Sequence, residues 1–502
     1  MTGSLVAEWI RRHRALLLTA LLTTTNFLVV FDGLVVTVAL PALQHSLGLS
    51  QAGTQWVMTA YTLPLGGMLL LGGRLSDRYG RRPVLITGFA LFIAGLLLAG
   101  LAPALWLLLP GRMLQGAGAA LAVPTSFAII SAKASPAQRN RLFAAVAVAG
   151  GLGAAGGAII GGVVTQGLGW RYVFLLSVPV ALLAALLAPK ILDHEAPAFK
   201  TSGLDLPGVA LSMAGLMLLV LAITNTESAG ALSPGTLGPL VLSALAFTGF
   251  VIRERRAADP LLRLGILRVP SFRTAVLAMP ANEFAYQGSV FIGLLFFQQA
   301  LGYSPLAAGL AFSPLGLVVL IGSSVSNRLL RRYRWTLVAA SAQFVSAVAL
   351  ALLALAGPDS AYLPHILPSL LILGLGTVVG AVSFNVAAGK DISPDDKGVG
   401  YGVFETAKYV AGVLAIAGLG STAAARTASA TATGHTAALA SGYQLAFAVA
   451  AVIAAIGGVL VALLGDSPGA GTGRSGQASA VTGTSDAPSS PHPPVHVNRG
   501  KR

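Results

Sequence analysis

The chain has 502 residues, of which 55% are hydrophobic and only 10% charged, whereas soluble domains carry roughly a quarter charged residues. This composition excludes an ordinary soluble protein and indicates a chain that lies in a lipid bilayer. The formal net charge of +15 does not indicate a nucleic-acid partner, because the basic residues fall in short clusters between apolar runs. The absence of cysteine excludes disulfides, thiolate metal sites and iron–sulfur clusters.

Apolar runs separated by charged, glycine or proline breaks predict an all-α integral membrane protein with fourteen spanning helices. The basic N-terminal segment, residues 1–14, precedes a long apolar run without a small-residue cleavage site, so the first run is predicted to be a retained helix. The predicted helices lie near 15–40, 53–73, 83–102, 105–131, 141–167, 170–189, 206–225, 236–252, 272–298, 305–327, 335–356, 362–387, 399–425 and 441–465.

Basic residues alternate between the two sides of this helix arrangement. If the N-terminus is cytoplasmic, the opposite loops carry little beyond Arg171 and Arg426. Because cytoplasmic loops are enriched in Lys and Arg, this alternation predicts that both termini are cytoplasmic. The basic residues of the predicted cytoplasmic loops are Arg74, Arg78, Arg81, Arg82, Lys133, Arg139, Arg141, Lys190, Lys200, Arg253, Arg255, Arg256, Arg263, Arg268, Arg273, Arg328, Arg331, Arg332, Arg334, Lys390 and Lys397.

Residues 73–82, GRLSDRYGRR, align without gaps with residues 323–332, SSVSNRLLRR. Each segment follows the second helix of its half if helices 1–6 and 9–14 are two copies and helices 7 and 8 are inserted. Parallel repeats of this kind place a substrate pathway between the halves. The predicted domains are a cytoplasmic N-terminus (1–14), a six-helix bundle (15–190), the inserted pair with its linkers (191–271), a second six-helix bundle (272–465) and a disordered cytoplasmic tail (466–502).

Several motifs resemble one transporter family. The segment from Gly73 to Arg82 is similar to the signature after helix 2 of the major facilitator superfamily, and DGLVVTVALP from Asp32 resembles the helix 1 signature of its fourteen-helix drug/proton antiporters. RMLQGAGAA from Arg112 matches the helix 4 signature, and GAIIGG from Gly157 resembles the antiporter signature of helix 5, with Ala158 in place of the usual Pro. The resemblance implies the major facilitator fold and proton-driven export of drug-like or antibiotic-like molecules from a bacterial cell.

The segment 73–82 is predicted to be a conformational latch, in which Asp77 is stabilised by arginines and by a helix N-terminus in one state only. The resemblance implies that the partner is the start of helix 13. The alternative is that the arginines only fix orientation. The predicted latch residues are Gly73, Asp77, Arg78, Gly80, Arg81 and Arg82.

Small residues recur along helix 5. Gly153, Gly157 and Gly161 form a small-xxx-small stripe, which Gly162 adjoins. Such stripes allow close helix approach. The sequence leaves open whether this surface slides or is static packing.

Charges inside the predicted spans indicate function, because burying each in lipid costs at least about 2.5–3.5 kcal/mol. Asp32, Arg112 and Glu283 are predicted to couple protons, although Asp32 and Arg112 are alternatively a permanent structural pair. Glu405 and Lys408, spaced i and i+3, are expected to neutralise each other. The predicted substrate-cavity residues are Phe31, Gln115, Tyr286 and Gln287.

No nucleotide-binding loop or soluble domain is present in the sequence, so an ion gradient is the expected energy source. We therefore predict a non-enzymatic, monomeric proton-coupled exporter without metal or other cofactor, whose partners are a small-molecule substrate, protons and lipid. Two alternatives stay open, namely a proton-coupled importer of a metabolite and a transporter-like sensor. The Ala-, Gly- and Arg-rich composition favours the plasma membrane of a bacterium with GC-rich DNA.

Overall fold

A computed structural model describes residues 13–133, 136–193, 205–257, 264–392, 397–430 and 434–465. The predicted tail, residues 466–502, lies outside the described residues, as do the first twelve residues and the linker residues Lys200 and Arg263. Within the described ranges the chain folds into helices and short connections, without a strand.

The helices are numbered here in chain order. A one-residue break divides α6, and π turns interrupt the α-helical hydrogen bonding of α9 and α12, so the pieces of each are named together. The helices are α1 Arg14–Leu47, α2 Gln51–Tyr79, α3 Arg81–Gly100, α4 Leu105–Lys133, α5 Pro136–Gly167, α6 Arg171–Leu175 with Ser177–Ile191, α7 Leu206–Ala229, α8 Pro234–Arg256, α9 Pro270–Glu283 with its continuation to residue 300, α10 Pro305–Arg332, α11 Trp335–Ala354, α12 Tyr362–Ile366 with Leu367–Lys390, α13 Lys397–Ser429 and α14 His435–Leu464.

The structure supports the predicted fold class, with thirteen to fourteen candidate spanning helices. Thirteen helices are each long and apolar enough to cross a membrane by length and composition. The remaining one, α9, is helical throughout 270–300 but contains two π turns, Phe284–Gly288 and Phe296–Ala300. Such π turns are rare and often lie at functional sites. The first of them directly follows Glu283.

Several helices extend five or more residues beyond their predicted ends, among them helices 1 and 2. The prediction ended helix 1 at Leu40, but α1 continues through Pro41 to Leu47. A membrane helix tolerates an internal proline because neighbouring helices compensate for the lost backbone hydrogen bond. The prediction ended helix 2 near residue 73, but α2 continues to Tyr79. The segment 73–82 is therefore helical except at one residue.

That residue is Gly80, which separates α2 from α3 with a φ of +90°. A side chain strongly disfavours this left-handed backbone, so glycine is suited to a one-residue break. In the aligned second copy Leu330 takes the place of Gly80, and α10 continues without a break to Arg332. The substitution explains why the two copies of the motif have different backbone shapes.

The helix contacts repeat between the two halves of the chain. In the first half α1 packs on α5, α2 on α4, and α3 on both α4 and α6. In the second half the equivalent helices pack in the same way: α9 on α13, α10 on α12, and α11 on both α12 and α14. This equivalence confirms an architecture of two six-helix bundles with α7 and α8 inserted, while the domain boundaries in the linkers stay predictions.

The two bundles meet along two seams, α5 with α10 and α2 with α13. Each seam joins the fifth helix of one bundle to the second helix of the other, as a pseudo-two-fold arrangement requires. The inserted α7 packs on α8 and also contacts α2 and α13. We call the end of the bundles where α1 ends and α2 begins the distal end, and the opposite end, where α2 meets α3, the basic end.

Very close helix approach holds α2 against α4. A Cβ atom built at Gly72 would lie 2.1 Å from the Ala120 carbonyl oxygen. The neighbouring Gly73 is different, because a Cβ there would come only within 4.0 Å of the Pro124 Cβ. Two adjacent glycines therefore differ in their structural importance.

We predict that Gly72→Ala lowers the free energy of unfolding by about 1–3 kcal/mol, because the added methyl must displace the α4 backbone. Gly73→Ala is the matched control and should change it by less than about 1 kcal/mol. Thermal unfolding of both variants in detergent, followed by intrinsic fluorescence, measures the difference. Equal losses of stability would contradict this account of the α2–α4 contact.

Candidate functional site: a cavity between the bundles

A cavity of about 300 Å³ lies between the two bundles. Its volume is at the lower end of the range for drug-sized ligands, roughly 300–1,000 Å³. Helices α1, α2 and α5 of the first bundle and α9, α10, α12 and α13 of the second contribute to its wall. Most of the lining is apolar or aromatic, with Tyr61, Tyr286, Phe291 and Tyr409 supplying rings.

Glu283 is the carboxylate of this cavity. It lies at the end of the first piece of α9, lines the cavity and is only 7% exposed. No hydrogen bond or salt bridge joins its carboxylate to another described residue. A buried carboxylate without partners is costly, and intramembrane carboxylates of this kind usually mark a functional site.

Lys408 is the cavity's ammonium group, and it is already paired. Its Nζ atom forms a salt bridge with the Glu405 carboxylate one turn earlier on α13. The same ammonium lies 5.0 Å from the centre of the Tyr409 ring. Both members of the pair keep about a quarter or less of their side-chain surface exposed, 26% for Lys408 and 20% for Glu405. The predicted mutual neutralisation of this pair agrees with the geometry.

A second charged cluster lies inside the first bundle. The Arg112 Nη1 donates to Asp32 Oδ2 at 2.6 Å and to Gln115 Oε1 at 3.1 Å, and Gln115 Nε2 donates to the other carboxylate oxygen of Asp32 at 3.1 Å. The Arg112 Nε donates to the Val57 carbonyl oxygen at 3.1 Å, and the guanidinium lies 4.4 Å from the Tyr61 ring centre. Asp32, Arg112 and Gln115 are each 0% exposed.

This cluster connects α1, α2 and α4. Residues 80 positions apart in the chain form its central ion pair. Desolvating two charges costs several kcal/mol per ion, which is repaid only when hydrogen bonds satisfy most of their polar atoms, as they do here. The pair is sealed from the cavity in this state, since neither Asp32 nor Arg112 lines it.

The four predicted cavity residues divide into two groups. Tyr286 and Gln287, at i+3 and i+4 from Glu283, line the cavity with it. Phe31 and Gln115 do not. Phe31 stacks on Phe27 with ring centres 5.2 Å apart and packs against α5, while Gln115 is held by Asp32 and Arg112.

The glycine stripe of α5 faces α1. Cβ atoms built at Gly153, Gly157 and Gly161 would lie 2.8–3.0 Å from atoms of α1. Gly162 points to the other bundle, where a built Cβ would lie 2.6 Å from the Leu306 Cα of α10. On that same face Gly309 of α10 approaches the Ala158 carbonyl oxygen. Helix α5 therefore packs tightly on its own bundle with one face and meets the opposite bundle with another.

Ala158 is the residue that replaces the proline of the family signature. A Cβ built at Gly309 would lie 2.1 Å from its carbonyl oxygen. The close approach of α10 requires a small residue on each helix.

The predicted latch residues lie at the basic end of α2 and α3. Asp77 is exposed on the last turn of α2, and the charges that act most strongly on its carboxylate are those of Arg81 and Arg74. The implied partner is the start of α13, where the side chains of residues 397–399 lie outside the described residues. The latch stays a prediction.

At the distal end, hydrogen bonds join the bundles directly. The Gln298 Nε2 donates to the Val38 carbonyl oxygen of α1 at 2.9 Å, and the Gln299 Nε2 donates to Gln44 Oε1 at 2.9 Å. Tyr443 of α14 donates its hydroxyl to Gln299 Oε1. Both glutamines lie in the second π turn of α9. Gly162 contacts Leu306 and Gly309 contacts Ala158 between the same two bundles. Together, these contacts and the hydrogen bonds close the distal end.

Gln55 occupies the distal part of the α2–α13 seam. It is 0% exposed, and a Cβ built at Gly420 of α13 would lie 2.7 Å from its amide. Neither Nε2 nor Oε1 of Gln55 has a hydrogen-bond partner among the described residues. The second seam is therefore closed around an unsatisfied polar group.

Several polar residues of the cavity are not predicted from the sequence. Asn282 precedes Glu283, Thr377 and Asn385 lie on α12, and Thr37 and Thr62 lie on α1 and α2. Uncharged polar residues are common in membrane helices, so their sequence positions carry little signal without knowledge of the helix faces. In the described parts of the chain no group of three or more His, Cys, Asp or Glu side chains is arranged to hold a metal ion.

Comparison with known proteins identifies the family of this chain. The model of the Major Facilitator Superfamily matches residues 22–416. The chain belongs to the major facilitator superfamily. It is thus a membrane transporter and not an enzyme.

Two antibiotic resistance and export proteins resemble the chain over most of their length. The puromycin resistance protein pur8 of Streptomyces alboniger is 37% identical over 410 residues, which cover 80% of this chain and 81% of that protein. The cephamycin export protein CmcT of Amycolatopsis lactamdurans is also 37% identical, with 78% and 82% covered. A crystal structure of an auto-inhibited POT family peptide transporter superposes with a TM-score of 0.67 at 17% identity, covering 90% of this chain and 96% of that one, and shows the shared fold alone.

We predict that Asp32→Ala in this superfamily member lowers the free energy of unfolding by about 3–5 kcal/mol, because it leaves the Arg112 charge buried without its partner. The double variant Asp32→Leu with Arg112→Met removes both charges and should recover most of that loss. Thermal unfolding of Asp32→Leu, of Arg112→Met and of the double variant completes the double-mutant cycle. Additive effects of the two single substitutions would contradict an energetically coupled pair.

Proposed function

We propose that the chain exports drug-like organic molecules across a bacterial plasma membrane in exchange for protons. The observation that carries the proposal is Glu283, a buried carboxylate without a hydrogen-bond partner among the described residues, in a cavity shared by both bundles. Family membership and the names of the antibiotic resistance and export proteins that resemble the chain support export. The cavity is complete within one chain, which supports a monomer as the working unit.

In this proposal Glu283 carries the proton. A carboxylate binds a proton more tightly when it is desolvated than when it is hydrated. If the two sides of the membrane reach Glu283 in turn, the residue can therefore take up a proton from one side and release it to the other. A proton crossing about 150 mV supplies about 3.4 kcal/mol, enough for a few-hundred-fold concentration ratio of cargo. Asp32 and Arg112 stay a second predicted proton site, whose use requires a state in which water reaches the sealed pair.

We further propose that the basic end faces the cytoplasm and that the structure represents the inward-facing half of the cycle. The arginine-rich connections favour the cytoplasmic side for the basic end. The hydrogen bonds of Gln298 and Gln299 and the α5–α10 contact close the distal end, which separates the cavity from the outside. The opposite state requires these contacts to break.

Expression of the wild type should lower the accumulation of members of an antibiotic panel that includes puromycin and lincomycin, and a protonophore should restore it. Glu283→Gln should abolish the effect, because the amide cannot carry a proton. Asp359→Asn, which removes an exposed carboxylate outside the cavity, is the matched control and should behave as wild type. Accumulation that is unchanged or raised by the wild type over the whole panel would contradict export, and a raised value would favour the importer.

The inward-facing assignment has its own test, because the chain contains no cysteine. Gly33 lines the cavity, and a Cβ built there meets no atom within 4 Å, so Gly33→Cys places a thiol in the cavity without strain. A membrane-impermeant maleimide should label it several-fold faster in inside-out than in right-side-out vesicles. Adding Gln298→Ala and Gln299→Ala should raise labelling from the outside.

Faster labelling from the outside without those two changes would overturn the assignment. Gly238→Cys, on the lipid-exposed α8 and away from the cavity, reports the background rate of labelling.

A further inference from the structure

The charges at the cavity do not sum to zero. Glu283 is unpaired among the described residues, whereas Lys408 is paired with Glu405 and lies over the Tyr409 ring. Of the described residues that line the cavity, Glu283 and Lys408 are the charged ones. The Lys408 and Glu405 charges both act on the Glu283 carboxyl, so the three groups form one electrostatic unit. Two carboxylates and one ammonium give this unit a formal charge of −1.

The Glu405–Lys408 pair is expected to contribute little to the stability of α13. A helical pair spaced i and i+3 stabilises a helix by only about 0.2–0.5 kcal/mol, and apolar residues of similar size often replace a buried pair without loss. Its place at the same cavity as Glu283 gives it a different consequence. Without Glu405, the Lys408 ammonium would neutralise Glu283; without Lys408, the cavity would hold two uncompensated carboxylates.

We propose that the Glu405–Lys408 pair sets the charge class of the cargo, because it occupies the cavity's ammonium group and leaves Glu283 as the single uncompensated charge for an organic monocation. This inference rests on the proposed transport function and adds the substrate class to it. The lining supports it independently, since aromatic rings such as Tyr61, Tyr286 and Phe291 present π faces that attract cations. Lys408 and Glu405 are thus specificity-determining residues that act through charge, with Glu283 as the group that meets the cargo.

The test uses two ions of nearly equal size and shape and opposite charge, tetraphenylphosphonium and tetraphenylborate. Binding of each to the purified full chain in lipid nanodiscs is measured by equilibrium dialysis, with empty nanodiscs subtracted. We expect the wild type to bind the cation at least about tenfold more tightly than the anion, the factor expected for one charge at close range in a partly screened site. Asp359→Asn should leave that ratio unchanged.

The variants of the three charges give a graded series. Glu405→Gln leaves Glu283 opposed by a free Lys408, so it should weaken cation binding by about tenfold. Lys408→Met leaves two carboxylates and should tighten it by a similar factor. The double variant Glu283→Gln with Glu405→Gln leaves Lys408 as the remaining charge, and its preference should reverse in favour of tetraphenylborate.

Thermal unfolding confirms that each variant is folded before its ratio is interpreted. An unchanged ratio in both Glu405→Gln and Lys408→Met would overturn the inference, and so would a wild type that binds the two ions equally or binds neither. These binding results do not bear on the export assay with Glu283→Gln. The proposed cargo charge and the proposed export can therefore be refuted independently. If export fails while the charge series behaves as expected, the cavity selects cations but the transport proposal is wrong.

Discussion

The ion pair between Asp32 and Arg112 is the constraint on which the first bundle depends. Both charges are fully buried, so each requires the other and the hydrogen bonds of Gln115 and the Val57 carbonyl oxygen. Moving α1, α2 or α4 independently would expose a charge to an apolar interior at a cost of several kcal/mol. The glycine contacts of α5 with α1 and of α2 with α4 add backbone approach to this electrostatic connection. These contacts hold α1, α2, α4 and α5 of the first bundle together as one unit.

The second bundle has a different character. Its helix α9 contains two π turns, and these lie beside Glu283 and at the glutamines that close the distal end. The charged side chains of the cavity also belong to this bundle, on α9 and α13. The charged groups of the cavity thus belong to the second bundle, whereas those of the first bundle are sealed inside it. In the proposed cycle, cargo and proton meet residues of the second bundle while the first supplies a firm opposing wall.

Much of this arrangement follows from the sequence, because helix number depends on apolar length and the internal repeat survives in residues 73–82 and 323–332. Glu283, Tyr286 and Gln287 could be placed together because i, i+3 and i+4 share a helix face. The position of Phe31 could not be predicted, because the rotation of α1 about its own axis decides whether this side chain faces the cavity or α5. Nor could the sequence tell that residues 73–79 continue α2, because polar residues at a membrane boundary are equally compatible with a loop.

The unsatisfied amide of Gln55 has a consequence for turnover. A buried polar group without partners costs about 1–3 kcal/mol, and that cost exists only while α2 and α13 are pressed together at the distal end. Once water enters the seam, the penalty disappears. The closed arrangement consequently rests in a shallower energy well than its tight packing alone would give. In the proposed transport cycle, in which the two halves part and rejoin, this group lowers the free energy needed to separate α2 from α13.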